Sequence, residues 1–289
     1  MPDPRPIGVF DSGLGGLTVV RAIMDDLPHE GVRYLGDTGR FPYGPREATE
    51  IQGFAVQIAE HLIRQDVKLI VVACNTATSV ALQDVIDAVP VPVVGVIEPA
   101  VRAAVAATRN GRIGLIGTVA TVGSGAYQRA VGRADGGVRV FAQACPRFVE
   151  FVEAGDTTSA ELLATAGSYL APLRAAGVDT LILGCTHYPF LRGAIHHVLG
   201  DGVVLLSSAE ETAVDVYETL SRERLLADPG GAGPPDHRFE STGDPDLFAA
   251  LGARFLGPEV RRVRFVPPAV LSAGHVPAGS EPGGPAGAR

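Results

Sequence analysis

Two segments of the chain end an apolar run on a thiol followed by small polar groups. Ile70 to Ala73 lead into Cys74-Asn75-Thr76, and Leu181 to Gly184 lead into Cys185-Thr186-His187. A cysteine between a strand's end and a helix's start feels the positive end of the helix dipole. Its pKa is therefore expected at roughly 3.5–7.5 instead of about 8.5. Asn75, Thr76 and Thr186 place amide and hydroxyl donors beside the thiols, and His187 can orient Cys185 or exchange a proton with it. Taken singly, a cysteine here is a small buried hydrophobe and a histidine a satisfied structural residue. Cys145, in FAQACPRFVEFVE, keeps that plain reading. The repeated context asks for chemistry.

Three uses of two thiols compete. Metal binding lacks a C-x-x-C or H-E-x-x-H spacing, and His196 and His197 fall on adjacent faces of an expected helix. A redox pair stays open, although the usual spacing is missing. Covalent catalysis uses one nucleophile and leaves the second thiol without a task. Two acid/base groups on opposite faces of one carbon use both: one thiolate removes a proton, the other thiol returns one from the far side, and the stereocentre inverts.

Two further loops carry polar groups. GVFDSGLGG sets Asp11 and Ser12 just beyond a strand, where a carboxylate and a hydroxyl can meet the ammonium and carboxylate of a small zwitterion. As a dinucleotide fingerprint it is weak. GDTGRFPYG sets Asp37, Thr38, Tyr43 and Gly44 at another strand end, stiffened by Pro42. Its backbone N–H groups and hydroxyls suit an anionic ligand.

The elements that must position these groups alternate in type. Apolar runs at Ile7–Phe10, Val32–Gly36, Lys68–Ala73, Val91–Ile97, Arg112–Gly117, Val138–Ala144, Asp179–Gly184, Val203–Ser207 and Val260–Val266 predict strands. Helices are predicted over Leu17–Leu27, Ala48–Gln65, Thr76–Val89, Pro99–Thr108, Thr121–Val131, Ser159–Ala176, Phe190–Leu199 and Glu210–Leu226. This is an α/β chain with mostly parallel sheets. The two cysteine strands predict two similar α/β domains facing one another, with ligand at the carboxyl ends of the strands. Asp228–Pro235 reads as a surface loop. From Pro267 onward the Pro-, Gly- and Ala-rich sequence lacks an apolar period and is expected to be disordered.

Composition excludes several classes. The 24 basic against 32 acidic residues give a formal charge of −8, which argues against a nucleic-acid surface. No apolar stretch approaches the roughly 20 residues that span a bilayer, and no secretory signal is read at the start, so a cytoplasmic protein is expected. Three cysteines do not make a disulfide framework. Lys68 is the only lysine and stands at the wrong end of its strand for a pyridoxal phosphate Schiff base. No cofactor and no metal are expected.

With these segments in hand, the chain resembles the glutamate racemases of the cofactor-independent aspartate/glutamate racemase superfamily. The matching motifs are GVFDSGLGGLTV, GDTGRFPYGPR, VVACNTATS, PVVGVIEPA, IGLIGT and LILGCTHYPFL, in family order from about Pro6 to Val266. Gly39 and Phe41 depart mildly from the pattern, and the tail after Pro267 has no counterpart. The resemblance implies that Cys74 and Cys185 are the two proton donors/acceptors, Cys74 acting on D-glutamate and Cys185 on L-glutamate. It makes Asp11 and His187 auxiliary groups, with Glu153 supporting His187. It places substrate against Asp11, Ser12, Tyr43, Gly44, Asn75, Thr76, Thr186 and His187. It further implies a homodimer, D-glutamate supply for peptidoglycan, and domains at residues 1–97 plus 208–266 and at 98–207. An aspartate racemase, or a non-catalytic binding protein on the same fold, is the alternative.

Overall fold

The computed structural model describes residues 2–230, 233–260 and 262–272. The first four strands are β1 (Ile7–Asp11), β2 (Val32–Gly36), β3 (Leu69–Val72) and β4 (Val93–Gly95). β5 (Arg112–Gly117), β6 (Arg139–Ala144), β7 (Thr180–Gly184) and β8 (Val204–Ser207) follow, then β9 (His237–Ser241) and β10 (Val263–Phe265). They form two sheets, one of order β10-β9-β2-β1-β3-β4 and one of order β6-β5-β7-β8. Every strand pair is parallel.

Parallel strands joined by crossovers are covered on both faces, and the central strands here are apolar on both. In β1 and β3, Ile7, Val9, Leu69 and Val71 face one core, while Phe10, Ile70 and Val72 face another. Helices α1 (Leu17–Asp26), α2 (Ala48–Ile63), α3 (Asn75–Ala88) and α4 (Ile97–Ala107) occupy the first part of the chain. α5 (Val119–Gly123), α6 (Ala126–Ala134), α7 (Arg147–Ala154), α8 (Ala160–Ala176) and α9 (Arg192–Leu199) lie around the second sheet. α10 (Ser208–Glu223), α11 (Pro245–Leu256) and α12 (Pro268–Ser272) return to the first. Ile113, Leu115 and Ile182 pack with α4 and α6, and Leu181 and Leu183 pack with α7, α8 and α9. Each sheet is thus the middle of a three-layer sandwich.

Differences from the sequence reading are local. The expected helix Thr121–Val131 is two, broken at Gly125, whose φ of 67° is left-handed. The stretch Phe190–Leu199 begins as a 3₁₀ turn at Tyr188–Leu191. Four unpredicted elements appear among the described residues: α7, β9, α11 and α12. Disorder from Pro267 is corrected for its first residues, because α12 packs on α2 and buries Leu271 completely. The rest of that tail lies outside the described residues. Among the described residues, no helix is long and apolar enough to cross a membrane.

Candidate active site

β1, β3, β5 and β7 are neighbouring inner strands of their sheets, and their carboxyl ends carry polar loops. At the end of β1, Asp11 is fully buried and accepts from the backbone N–H of Gly16 (2.9 Å) and of Gly13 (3.3 Å) through Oδ2. Its Oδ1 has no hydrogen-bond partner. Gly15 brings this loop against the second sheet's polar loop. A Cβ there would overlap the Thr186 hydroxyl and stand 2.7 Å from His187 Nδ1, so only glycine permits the approach.

Cys74 lies two residues past β3 and caps α3, its sulfur accepting from Ala77 N–H at 3.4 Å. The thiol donates to Ser12 Oγ at 3.5 Å. The expected lowering of its pKa is reversed: burial first, and then the carboxylate of Asp11, push the thiol up to about 12. Desolvation of the charged form outweighs the helix end at this buried sulfur. Asn75 Oδ1 accepts from Tyr127 at 2.5 Å, while Nδ2 is buried without a partner. Thr76 Oγ1 lies 2.9 Å from Thr118 Oγ1 and 3.2 Å from Thr121 Oγ1.

Cys185 follows β7, with His187 Nδ1 3.8 Å from its sulfur. His187 Nε2 lies 3.5 Å from Glu153 Oε1. Burial alone would depress this imidazole, but the Cys185 sulfur and the Glu153 carboxylate raise it to about 10. At neutral pH the ring is therefore an imidazolium beside the Cys185 sulfur. Phe41 and Phe255 flank it, with ring centroids 6.2 and 6.1 Å away.

The loop carrying Tyr43 and Gly44 is tied down by Asp37, which is fully buried and accepts from Thr242 Oγ1 (2.6 Å) and Arg40 Nε (2.7 Å). Tyr43 also donates its hydroxyl to Asp37. That hydroxyl is thus committed within the protein, and Tyr43 meets the pocket with its other atoms.

One cavity of about 290 Å³ gathers Ser12, Tyr43, Gly44, Cys74, Asn75, Thr76, Glu153, Cys185, Thr186 and His187. Asp11 lies behind Ser12, outside the cavity wall, and acts through its charge on both Cys74 and His187. Sequence reasoning did not single out Thr118, Phe41, Pro146 or Glu150, which also line the cavity. Thr118 had a usable signal, since it follows a parallel strand's last residue as Cys185 does and as Cys74 nearly does. Among the described residues, no group of three or more His, Cys, Asp or Glu side chains is placed to hold a metal ion.

Comparison with known proteins agrees with this geometry. The family model for Asp/Glu/hydantoin racemases matches residues 17–216. The glutamate racemase of Corynebacterium glutamicum is 56% identical over 259 residues, covering 90% of this chain and 94% of the relative. The crystal structure of glutamate racemase from Francisella tularensis in complex with D-glutamate superposes with a TM-score of 0.86 at 36% identity, covering 92% of this chain and 98% of that one. The glutamate racemase from Thermus thermophilus in complex with β-chloro-D-alanine gives 0.82 at 48% identity, with the same coverage of both chains. The family model spans more than half of the residues and the relatives align over about nine-tenths of them, so the chain belongs to the Asp/Glu/hydantoin racemases.

Proposed function

We propose that this chain interconverts L- and D-glutamate without a cofactor, Cys74 and Cys185 working on opposite faces of the α-carbon. The observation that carries the reading is the delivery of two thiols, from two separate sheets, to one small cavity. Cys74 takes the α-proton of D-glutamate and Cys185 that of L-glutamate, and the opposite thiol returns a proton. His187, as an imidazolium, stabilises the Cys185 thiolate. The buried Cys74 thiol ionises when the substrate's ammonium enters beside it and offsets burial and the Asp11 charge. Ser12, Asn75, Thr76, Thr186 and the backbone at Tyr43 and Gly44 hold the two carboxylates. Lys68 cannot serve as a Schiff base, since it is buried in an ion pair with Glu30 at 2.6 Å.

We assign the lobes to residues 1–97 with 208–266 and to 98–207, and the protein to the cytoplasm as a homodimer supplying D-glutamate for peptidoglycan. The test uses protein dialysed against a chelator, with no pyridoxal phosphate added. In D₂O, product formed early from either enantiomer should carry α-deuterium, while recovered substrate stays unlabelled. Cys74→Ala and Cys185→Ala should each abolish turnover in both directions, a loss beyond the roughly 10²–10⁴-fold of one general acid or base. Either variant racemising near the wild-type rate would sink the two-thiol reading.

A further inference from the structure

Asn75 is 2% exposed, lines the cavity next to Cys74, and has two chemically opposite ends. Its oxygen accepts the hydroxyl hydrogen of Tyr127 at 2.5 Å, and its Nδ2 has no hydrogen-bond partner in the protein. A buried donor left unpaired costs stability, so the molecule carries this group for something else. Tyr127 belongs to α6, around the second sheet, whereas Asn75 opens α3 beside the first. The tyrosine is fully buried, and burial keeps its phenol neutral and able to donate.

We propose that Tyr127 is a positioning residue: by donating to Asn75 Oδ1 it turns the amide so that Nδ2 is offered to a carboxylate of the substrate. This rests on the glutamate reading given above and assigns a role to a residue outside the cavity wall. The two amide orientations have nearly the same shape, so packing cannot choose between them. Hydrogen bonding can. In the observed orientation the Tyr127 O–H and Asn75 Oδ1 satisfy one another, and a carboxylate completes the set at Nδ2. In the flipped orientation, Oδ1 would face the carboxylate, two acceptors in contact, and the Tyr127 hydrogen would lose its acceptor. Tyr127 therefore excludes the orientation that repels an anion. Because the two residues come from different lobes, the donor is set only when the lobes are together. The hydroxyls of Thr76, Thr118 and Thr121 meet across the same boundary.

The experiment is a double-mutant cycle on the full chain, with kcat and KM measured from both enantiomers. Tyr127→Phe removes the donated hydrogen and keeps the ring, so KM should rise about tenfold, as for a hydrogen bond to a charged group, with kcat within about threefold. Asn75→Ala should raise KM at least as much, and the double variant should match Asn75→Ala alone, because Tyr127 acts only through Asn75. A native KM in Tyr127→Phe overturns the proposal, and so do penalties that multiply in the double variant, the behaviour of a tyrosine with a general packing role. If Tyr127→Phe does not fold, Asn75→Leu takes its place, having the amide's shape and neither of its hydrogen-bonding ends; a native KM there also overturns the proposal. Wild-type protein inactive on glutamate overturns the parent reading instead, so the two failures are distinguishable.

Discussion

His187 shows how a single side chain's environment decides what it can do. Its ring is buried, yet it holds a proton to about pH 10, because the Cys185 sulfur and the Glu153 carboxylate reward the charged form more than burial penalises it. The folded-state value lies above the usual 6.5, so the imidazolium's contribution to stability is complete below about pH 6.5 and is lost as pH climbs through about 10. Glu153→Gln removes one of the partners that raise the His187 pKa, leaving the Cys185 sulfur and the Asp11 charge. The alkaline limb of the kcat/KM profile for L-glutamate should then move down by about one pH unit, with little change in KM at pH 7. An unmoved limb would show that Glu153 does not set the charge of His187. Cys74 was the residue read least well from sequence. Its place at a strand–helix junction was legible, but the pKa inferred from that place was not, because the sequence does not reveal how completely Asp11, Ser12 and the surrounding core exclude water from the thiol.

Among the elements, the β1–α1 loop and the loop after β7 depend most closely on one another. Gly15 lets the backbone of the first touch Thr186 and His187 of the second. A methyl group at Gly15 has no room unless the Cys185 loop retreats, and displacements of about 1 Å near a reacting centre cost about 100-fold. Gly15→Ala should therefore lower kcat/KM by about that factor while the far-ultraviolet circular dichroism stays unchanged. Near-native turnover would mean that the loop yields without cost. The same glycine was visible in the sequence only as a turn former, since its partner lies in the other half of the chain. Other elements were hidden for physical reasons of their own. β9 reads His-Arg-Phe-Glu-Ser, a poor strand by composition, yet Glu240 is buried there against His61 at 2.6 Å and is paired with Arg264. Long-range ion pairing conceals a core strand behind charged letters. α11 did announce itself, through Asp244 as cap and Pro245 at its first position, and its Phe255 reaches the ring of His187. α7 likewise carries its own local signal, the apolar spacing of Phe148, Phe151 and Val152, whereas β9 is defined by its distant partners.

At the scale of the whole molecule, the two sandwiches meet through their strand ends, and the active cavity exists only between them. The alternation of strands and helices made the parallel sheets legible, and the repeated thiol context made the pairing of two similar units legible. How deeply each unit seals the other's polar groups was not, because that depends on contacts such as those of Tyr127 and Thr118, whose letters carry no mark of their partners. The N-terminal segment contributes a seal of a different kind. Lys68 is fully buried, donates to the backbone oxygen of Asp3 at 2.8 Å and pairs with Glu30, whose Oε1 accepts from Ala227 N–H at 2.8 Å. Since it is the chain's only lysine, the folded exterior presents no side-chain amine, and a succinimidyl ester added to native protein should leave the ε-amino group unmodified. Acylation of Lys68, followed by peptide mass spectrometry across a urea series, should then track the fraction of molecules opened at this strand. Rapid acylation in native buffer would show that the seal opens on its own; otherwise one nitrogen atom serves as an internal gauge of unfolding.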